Sequence, residues 1–127
     1  MATTLASEQP SDPALQVWLV EAVDRLRQHL NPERIILFGS RARGTATRRS
    51  DIDLFLVWDC DLPPLTRIGQ VLQLLADAPY PVEAIVYTSK ELARCQDRPF
   101  IRQLLAEGII LYDRGLKREA GIQEPHE

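Results

Sequence analysis

The stretch LFGSRARGTATRRSDIDLFLVW, residues 37–58, carries the signals on which both the fold and the function depend. An apolar run ends at Gly39 and Ser40, an arginine-rich segment follows, and Asp51 and Asp53 open a second apolar run. An acid beside a buried strand is expensive unless a positive charge accompanies it. The stretch therefore predicts two neighbouring strands whose ends meet at a polar site that attracts a cation.

Length and charge restrict the class of protein before any motif is considered. A chain of 127 residues is about the size of one domain, and its net charge of -3 gives no basis for sequence-independent nucleic-acid binding. The N-terminus lacks the segments of a secretion signal, and no apolar run approaches the roughly 18 residues of a membrane span. Cys60 and Cys95 lack metal-ligand spacing, which favours free thiols. We therefore expect a cytoplasmic protein that binds neither membrane nor nucleic acid directly.

Periodicity predicts an α/β (α+β) domain over residues 13–114, between a flexible N-terminus at residues 1–12 and a flexible tail at residues 115–127. Apolar residues recur every three or four positions in the helical segments and form short β-branched or aromatic runs in the others. The predicted helices are residues 13–30, 64–77, 89–95 and 99–107, and the predicted strands are residues 35–38, 51–58, 82–88 and 108–113.

Gly39 and Ser40 are the first candidate site residues. Glycine lets the backbone turn sharply and approach a ligand closely, and Ser40 begins a predicted helix whose free N–H groups suit a phosphate. The alternative is a plain turn with a helix cap. Both interpretations place a helix start directly after the first strand.

Asp51 and Asp53 form the stronger signal, because side chains two apart on a strand point to the same face and two carboxylates there repel. Hard divalent cations such as Mg²⁺ take oxygen ligands and commonly bind one or two carboxylates plus substrate phosphates. Glu83, in the strand PVEAIVYT, is the candidate third acid. The alternatives are that the aspartates cap a turn and face water, and that Glu83 is a solvated residue at a strand end.

The spacing Gly-Ser, ten residues, Asp-x-Asp in GSRARGTATRRSDID resembles that of the minimal nucleotidyltransferases of the polymerase-β superfamily, and in particular the MNT-type antitoxins paired with HEPN-domain toxins. The resemblance implies a short mixed sheet packed against helices. It also implies that Gly39 and Ser40 hold the triphosphate of ATP, and that Asp51, Asp53 and Glu83 bind two Mg²⁺ ions. Glu83 departs from the family, which usually has aspartate at that position.

Arginines of the same stretch supply positive charge near the expected triphosphate. Arg41 and Arg43 fall in the predicted Gly-Ser helix, where guanidinium groups can reach the β- and γ-phosphates. Arg48 and Arg49 fall in the following loop, where solvent or a partner is an equally good contact. We therefore expect Arg41 and Arg43 to bind nucleotide.

The acceptor of the nucleotidyl group is expected to come from another molecule, because the sequence offers no second domain to hold it. The resemblance implies transfer of AMP to a tyrosine of a HEPN toxin, which silences the toxin. One alternative is a catalytically silent module that inhibits the toxin by binding. A further alternative is an adenylyltransferase for a small molecule such as an aminoglycoside, working as a homo-oligomer that builds its acceptor pocket across an interface.

Overall fold

Residues 12–47 and 50–115 are described by a computed structural model, in which helices and a sheet alternate along the chain. The helices are α1 (Pro13–Leu30), α2 (Ser40–Arg43), α3 (Pro64–Leu74), α4 (Ser89–Cys95) and α5 (Pro99–Glu107). The strands are β1 (Arg34–Phe38), β2 (Ile52–Val57), β3 (Val82–Tyr87) and β4 (Ile109–Asp113). The predicted α/β fold and the predicted mixed sheet are both confirmed.

Strand β2 is central, as its two apolar faces predict. The sheet has the order β3-β2-β1-β4, with β1 antiparallel to β2 and to β4 and β2 parallel to β3. In this register Asp53 lies beside Phe38 of β1 on one side and beside Glu83 of β3 on the other. The ends of three strands therefore meet where the sequence places its candidate residues.

Helices cover both faces of the sheet, which explains why its strands are apolar on both sides. Alternate residues of β1 and β2 face a core built with α1 and α3, in which Leu26, Ile35 and Leu56 are fully buried. The opposite face packs against α4 and α5 through Phe55, Leu92 and Leu104, among others. Asp53 is two residues from Phe55 along β2, so its side chain points to the same, second face of the sheet.

The helix boundaries follow the signals in the sequence with one correction. Asp12 caps α1 by accepting a hydrogen bond from the backbone N–H of Leu15 (3.1 Å), and Thr88 with Glu91 forms a capping box at the start of α4. Helix α3 was predicted to reach residue 77 but ends at Leu74. The chain turns there because the Asp77 carboxylate accepts hydrogen bonds from the Trp18 indole (3.0 Å) and the Arg25 guanidinium (2.9 Å).

Two simpler expectations concern the cysteines and the membrane. Cys60 and Cys95 are free and half-buried. Within the described part of the chain, none of the helices combines the length and the apolar character that a membrane crossing requires. The predicted terminal segments, apart from Asp12 and Gly115, and the loop residues Arg48 and Arg49 lie outside the described residues.

Candidate active site

Three carboxylates converge at one end of the sheet. Asp51 directly precedes β2, Asp53 is its second residue, and Glu83 is the matching residue of β3. Each side chain offers one oxygen atom, and these three atoms lie within 4.8 Å of one another. We call this cluster the acidic triad. The proximity predicted from the two strands is therefore present, including that of Glu83.

The electrostatics of the acidic triad are unfavourable without a cation. Burial raises the pKa of Asp53 above its usual value, and the neighbouring charges of Glu83 and Asp51 raise it further. Arg43 opposes these effects, but among the described residues no ion pair or hydrogen bond links a basic group to any member of the acidic triad. The cluster therefore stores repulsion that a bound cation would relieve.

The donor set fits a hard divalent ion. Mg²⁺ prefers oxygen ligands and is commonly bound by carboxylates together with substrate phosphates, which leaves room for the triphosphate of a nucleotide. The three carboxylates, at the starts of two adjacent strands, offer only oxygen ligands, and their negative charge balances that of a divalent cation. Asp51, Asp53 and Glu83 are thus the residues that could hold such an ion.

Gly39 borders the acidic triad and has no space for a side chain. Its backbone has φ +77° and ψ -158°, a region that favours glycine, and a Cβ atom built there would overlap Oδ2 of Asp53. The sharp turn at Gly39 brings the start of α2 against the carboxylates. This glycine is therefore required both by backbone conformation and by the approach of Asp53.

Ser40 and Arg43 lie on α2 next to this turn. Within residues 12–47 and 50–115 the Ser40 hydroxyl makes no hydrogen bond, and its backbone carbonyl accepts the N–H of Thr45 (3.0 Å). Arg43 is half-exposed, and its guanidinium lies 3.8 Å from the Glu107 carboxylate at the end of α5. Both side chains are therefore available to a ligand that approaches the acidic triad.

Arg41 takes a different position from Arg43. Its side chain is only 7% exposed, and its guanidinium donates to the backbone carbonyl of Ser50 through Nε (3.2 Å) and Nη2 (2.9 Å). The same group stacks over the Tyr80 ring at 4.3 Å from its centroid. The structure thus brings Gly39, Ser40 and Arg43 together with the acidic triad, and it turns Arg41 toward the loop that precedes Asp51.

Sequence reasoning missed the partners of Arg41. Tyr80 and Asp12 stand far from the motif in sequence, yet the Tyr80 hydroxyl donates to Asp12 Oδ2 (2.6 Å) beside the Arg41 guanidinium. The only available signal was the aromatic residue placed just before the strand that carries Glu83. A lone tyrosine in a turn does not point to an arginine elsewhere in the chain.

The fold and the acidic triad together define a class of enzyme, and comparison with known families agrees. Residues 21–116 match the family model described as "Polymerase beta, Nucleotidyltransferase". The chain is therefore a nucleotidyltransferase and belongs to the polymerase beta family. The family resemblance deduced from the Gly-Ser and Asp-x-Asp spacing is confirmed.

Individual relatives refine this assignment. The chain is 38% identical over 80 residues to "Putative protein adenylyltransferase MJ0604" of Methanocaldococcus jannaschii, an alignment that covers 63% of this chain and 78% of the relative. A crystal structure of a toxin-antitoxin with AMP-PNP matches at a TM-score of 0.59 and 26% identity, covering 80% of this chain and 78% of that one. A "putative nucleotidyltransferase" from Sulfolobus solfataricus matches in fold, at a TM-score of 0.55 and 22% identity over 91% and 92% of the two chains.

Proposed function

We propose that this nucleotidyltransferase transfers AMP from ATP to a hydroxyl group of a partner protein, and that it thereby acts as the antitoxin of a toxin-antitoxin pair. The proposed acceptor is a tyrosine of a HEPN-domain toxin. The observation that carries the proposal is the acidic triad placed against the Gly39 turn. The similarity to a named protein adenylyltransferase and to a toxin-antitoxin structure with an ATP analogue supports the choice of AMP and of a protein acceptor.

In the proposed site Asp51, Asp53 and Glu83 would together hold two Mg²⁺ ions. The ions supply charge neutralisation at the entering and leaving oxygens of an in-line displacement. The protein's share is positional, because Asp53 is fixed between Phe38 and Glu83 by the sheet register. Rigid strands hold such groups more accurately than loops do.

The triphosphate would lie along the Gly39 turn and α2. The missing side chain at Gly39 lets the phosphates approach the backbone, and the Ser40 hydroxyl and Arg43 guanidinium can contact them. Arg43 must leave Glu107 to do so, and an exposed pair of this kind costs little to break, on the order of 0 to 1 kcal/mol. Arg43 is therefore the better candidate of the two arginines for binding phosphate.

The proposed reaction is an in-line displacement at the α-phosphorus of ATP. The acceptor hydroxyl oxygen forms a bond to the α-phosphorus of ATP, the bond from that phosphorus to the bridging oxygen breaks, and pyrophosphate leaves. The hydroxyl proton passes to Glu83 or to water. Glu83 is the exposed member of the acidic triad, so an acceptor on another protein can reach it from solvent.

Modification at a toxin's active site offers a sufficient mechanism of inhibition. AMP adds bulk and a negative charge to the tyrosine. A ribonuclease site must bind RNA phosphates, which the added charge repels. A single transfer of AMP to each acceptor hydroxyl would therefore be enough to inhibit the toxin.

The decisive experiment is an intact-mass measurement on the product of the neighbouring open reading frame after incubation with this protein, ATP and Mg²⁺. We expect one or more added AMP units with the wild type and none with Asp53→Asn. Omission of Mg²⁺ and replacement of ATP by GTP test the metal and the nucleotide. Transfer by Asp53→Asn at the wild-type rate contradicts the proposal.

The second candidate is a silent module that inhibits by binding, and Glu83 is the observation that favours it because the family usually has aspartate there. Against it, the longer side chain still brings an oxygen within 4.8 Å of the two aspartates. Glu83→Asp and Glu83→Gln separate the two candidates. We expect transfer to persist in Glu83→Asp and to fall in Glu83→Gln by at least about 10²-fold. An unmodified but still inhibited toxin in complex with the wild type supports the silent module instead.

A further inference from the structure

Arg41 lies beside the acidic triad, but its side chain contacts Ser50 and Tyr80. We infer that Arg41 is a positioning residue that fixes the two chain segments entering the acidic triad, one ahead of Asp51 and one ahead of Glu83. The inference rests on the proposed metal-dependent transfer. It assigns Arg41 to the arrangement of the metal ligands instead of to the nucleotide.

The first segment is the turn that leads into Asp51. Arg41 donates two hydrogen bonds to the carbonyl of Ser50, the residue directly before Asp51, and a longer one to the carbonyl of Thr47 (3.4 Å). Thr47 and Ser50 are also bonded to each other, since the Thr47 N–H donates to the Ser50 hydroxyl (2.8 Å) and the Ser50 N–H donates to the Thr47 carbonyl (3.1 Å). The guanidinium therefore fixes where the backbone delivers Asp51.

The second segment is the turn that leads into β3 and Glu83. The Arg41 guanidinium carbon lies over the Tyr80 ring, 4.3 Å from its centroid, and the Tyr80 hydroxyl donates to Asp12, whose carboxylate lies 3.8 Å from Arg41 Nη1. The next residue, Pro81, accepts a hydrogen bond from the Ile52 N–H (2.8 Å), which joins the starts of β2 and β3. One side chain thus contacts both entrances to the acidic triad.

Burial and chemistry indicate that Arg41 keeps these contacts when nucleotide binds. The Arg41 side chain is 7% exposed, and the planar fork of a guanidinium suits two carbonyl acceptors and an aromatic face at the same time. To reach a triphosphate, Arg41 would have to abandon these contacts. Arg43 lies on the same short helix, is half-exposed and has only a weak pair to leave.

Groups that orient metal ligands affect metal affinity more than nucleotide affinity. Loss of a group that orients a metal ligand typically lowers metal affinity or activity by about 10- to 100-fold. Lysine keeps the charge of Arg41 but has neither the fork nor the plane. Arg41→Lys therefore tests position separately from charge.

The experiment compares Arg41→Lys with Arg43→Lys, a matched change on the same helix. For Arg41→Lys we expect the Mg²⁺ concentration at half-maximal transfer to rise by about tenfold or more, with the KM for ATP at saturating Mg²⁺ changed by less than about threefold. For Arg43→Lys we expect the reverse. A second readout needs no turnover: Mn²⁺ binding in the presence of AMP-PNP, followed by electron paramagnetic resonance, should weaken by a similar factor in Arg41→Lys alone.

The outcomes distinguish this inference from the proposed function. An Arg41→Lys variant with unchanged Mn²⁺ binding and a raised KM for ATP overturns the inference and makes Arg41 a phosphate ligand. Wild-type protein that binds Mn²⁺ but transfers no AMP, with binding weakened in Arg41→Lys, overturns the transfer and keeps the inference. Wild-type protein that binds no Mn²⁺ overturns both.

A folding defect is controlled by a second variant. Tyr80→Leu removes the ring on which the guanidinium rests and leaves Arg41 and the nucleotide-binding residues unchanged. We expect it to weaken Mn²⁺ binding in the same direction as Arg41→Lys, while Tyr80→Phe, which keeps the ring, changes it less. Circular dichroism in EDTA confirms that each variant is folded. Equal Mn²⁺ binding in the wild type and a folded Tyr80→Leu contradicts the inference.

Discussion

Asp53 and Asp59 stand near the two ends of strand β2, and their surroundings are opposite. Asp53 faces two other carboxylates, and burial together with their charge raises its pKa. Asp59 accepts a hydrogen bond from the backbone N–H of Ser89 (2.7 Å), and its other oxygen lies 2.9 Å from the Ser89 hydroxyl, whose single proton it shares with the Glu33 carboxylate (2.7 Å). These contacts with Ser89 lower the pKa of Asp59, the backbone bond most. The same residue type is thus strained at one end of the strand and stabilised at the other.

The same end of the sheet as Asp59 also carries a charged pair within the chain, and we call it the paired end. Arg67 is buried there, and its guanidinium forms two hydrogen bonds to the Glu91 carboxylate (2.7 and 3.1 Å) and one to the Leu62 carbonyl (2.8 Å). The pair lowers the pKa of Glu91, mainly through the Arg67 hydrogen bonds. Buried charge is therefore balanced within the chain at the paired end and left for a ligand at the acidic triad.

A structural ion pair and a binding site can be built from similar residues, and they differ in where the compensating charge comes from. Charges whose partners are on the same chain are compensated within the fold, so the removal of one partner is costly. Charges that repel each other reduce stability until a counter-ion arrives. Changes at the acidic triad should therefore affect transfer and changes at the paired end should affect folding.

Apart from the loss of a carboxylate of the acidic triad, the largest expected effect at this end comes from Gly39→Ala. The added Cβ would overlap Asp53 Oδ2 and force a backbone with φ +77° on alanine. We expect AMP transfer to fall by at least about 10²-fold, because a displacement near 1 Å is enough for such a loss. The rate of transfer under saturating ATP and Mg²⁺ measures it.

Gly69→Ala provides the matched control for this substitution. Gly69 lies inside helix α3, and a Cβ there meets no atom within 4 Å. Alanine in a helix interior should stabilise the fold by about 0.5–1 kcal/mol and leave transfer unchanged. Equal losses of transfer in the two variants would remove the special role of Gly39.

At the paired end, Arg67→Met should act on stability instead. It leaves the Glu91 carboxylate and the Leu62 carbonyl without their donor, but Glu91 is 35% exposed and can recover water. We expect a loss of about 2 kcal/mol in the free energy of unfolding, below the range for a fully buried pair. Urea denaturation measures it, and transfer below the new melting temperature should match the wild type. A large loss of transfer in folded Arg67→Met would break the distinction between the two ends.

A smaller and more diagnostic effect is expected from Asp53→Asn and Asp59→Asn. Removal of the Asp53 charge relieves repulsion, so the metal-free protein should gain stability, by less than about 1 kcal/mol because water still reaches and screens a half-buried group. Asp59→Asn should lose stability because it weakens the acceptor of the Ser89 backbone hydrogen bond. Thermal unfolding in EDTA measures both. A fall in melting temperature for both variants contradicts the proposed strain at Asp53.

Ligand binding should reverse the order of these two variants. Mg²⁺ with AMP-PNP stabilises any form that binds it. The wild type and Asp59→Asn should therefore gain stability on addition of both, while Asp53→Asn gains little. The same melting experiment with and without the ligands tests this.

Much of the fold was predictable because its signals are local. The capping box at Thr88 and Glu91 and the apolar strands follow from side-chain periods and short motifs. Glu83 was identified as the acid on an apolar strand, and the family resemblance supplied its place beside Asp53. The contacts of Arg41 with Tyr80 and of Arg67 with Glu91 were not predictable, because each joins segments that meet only in the folded chain. The early end of α3 has the same origin, since Trp18 and Arg25 of another helix bind Asp77.

The pH dependence of stability gives the finest comparison of the two aspartates. Folding raises the pKa of Asp53 above its unfolded value of 3.8. Between the unfolded and the folded pKa the folded protein therefore binds more protons than the unfolded chain, and the contribution of Asp53 to stability is lost as the pH rises. For Asp59 the pKa is lowered, so its contribution is present above about pH 4 and is lost as the pH falls below that value. Relative to wild type, stability should therefore fall more steeply on acidification just above pH 4 in Asp53→Asn, and less steeply below it in Asp59→Asn. Urea midpoints from about pH 3 to pH 7 in EDTA measure both slopes. Parallel curves for the two variants would show that the two ends of β2 hold their carboxylates alike, which the repulsion in the acidic triad does not allow.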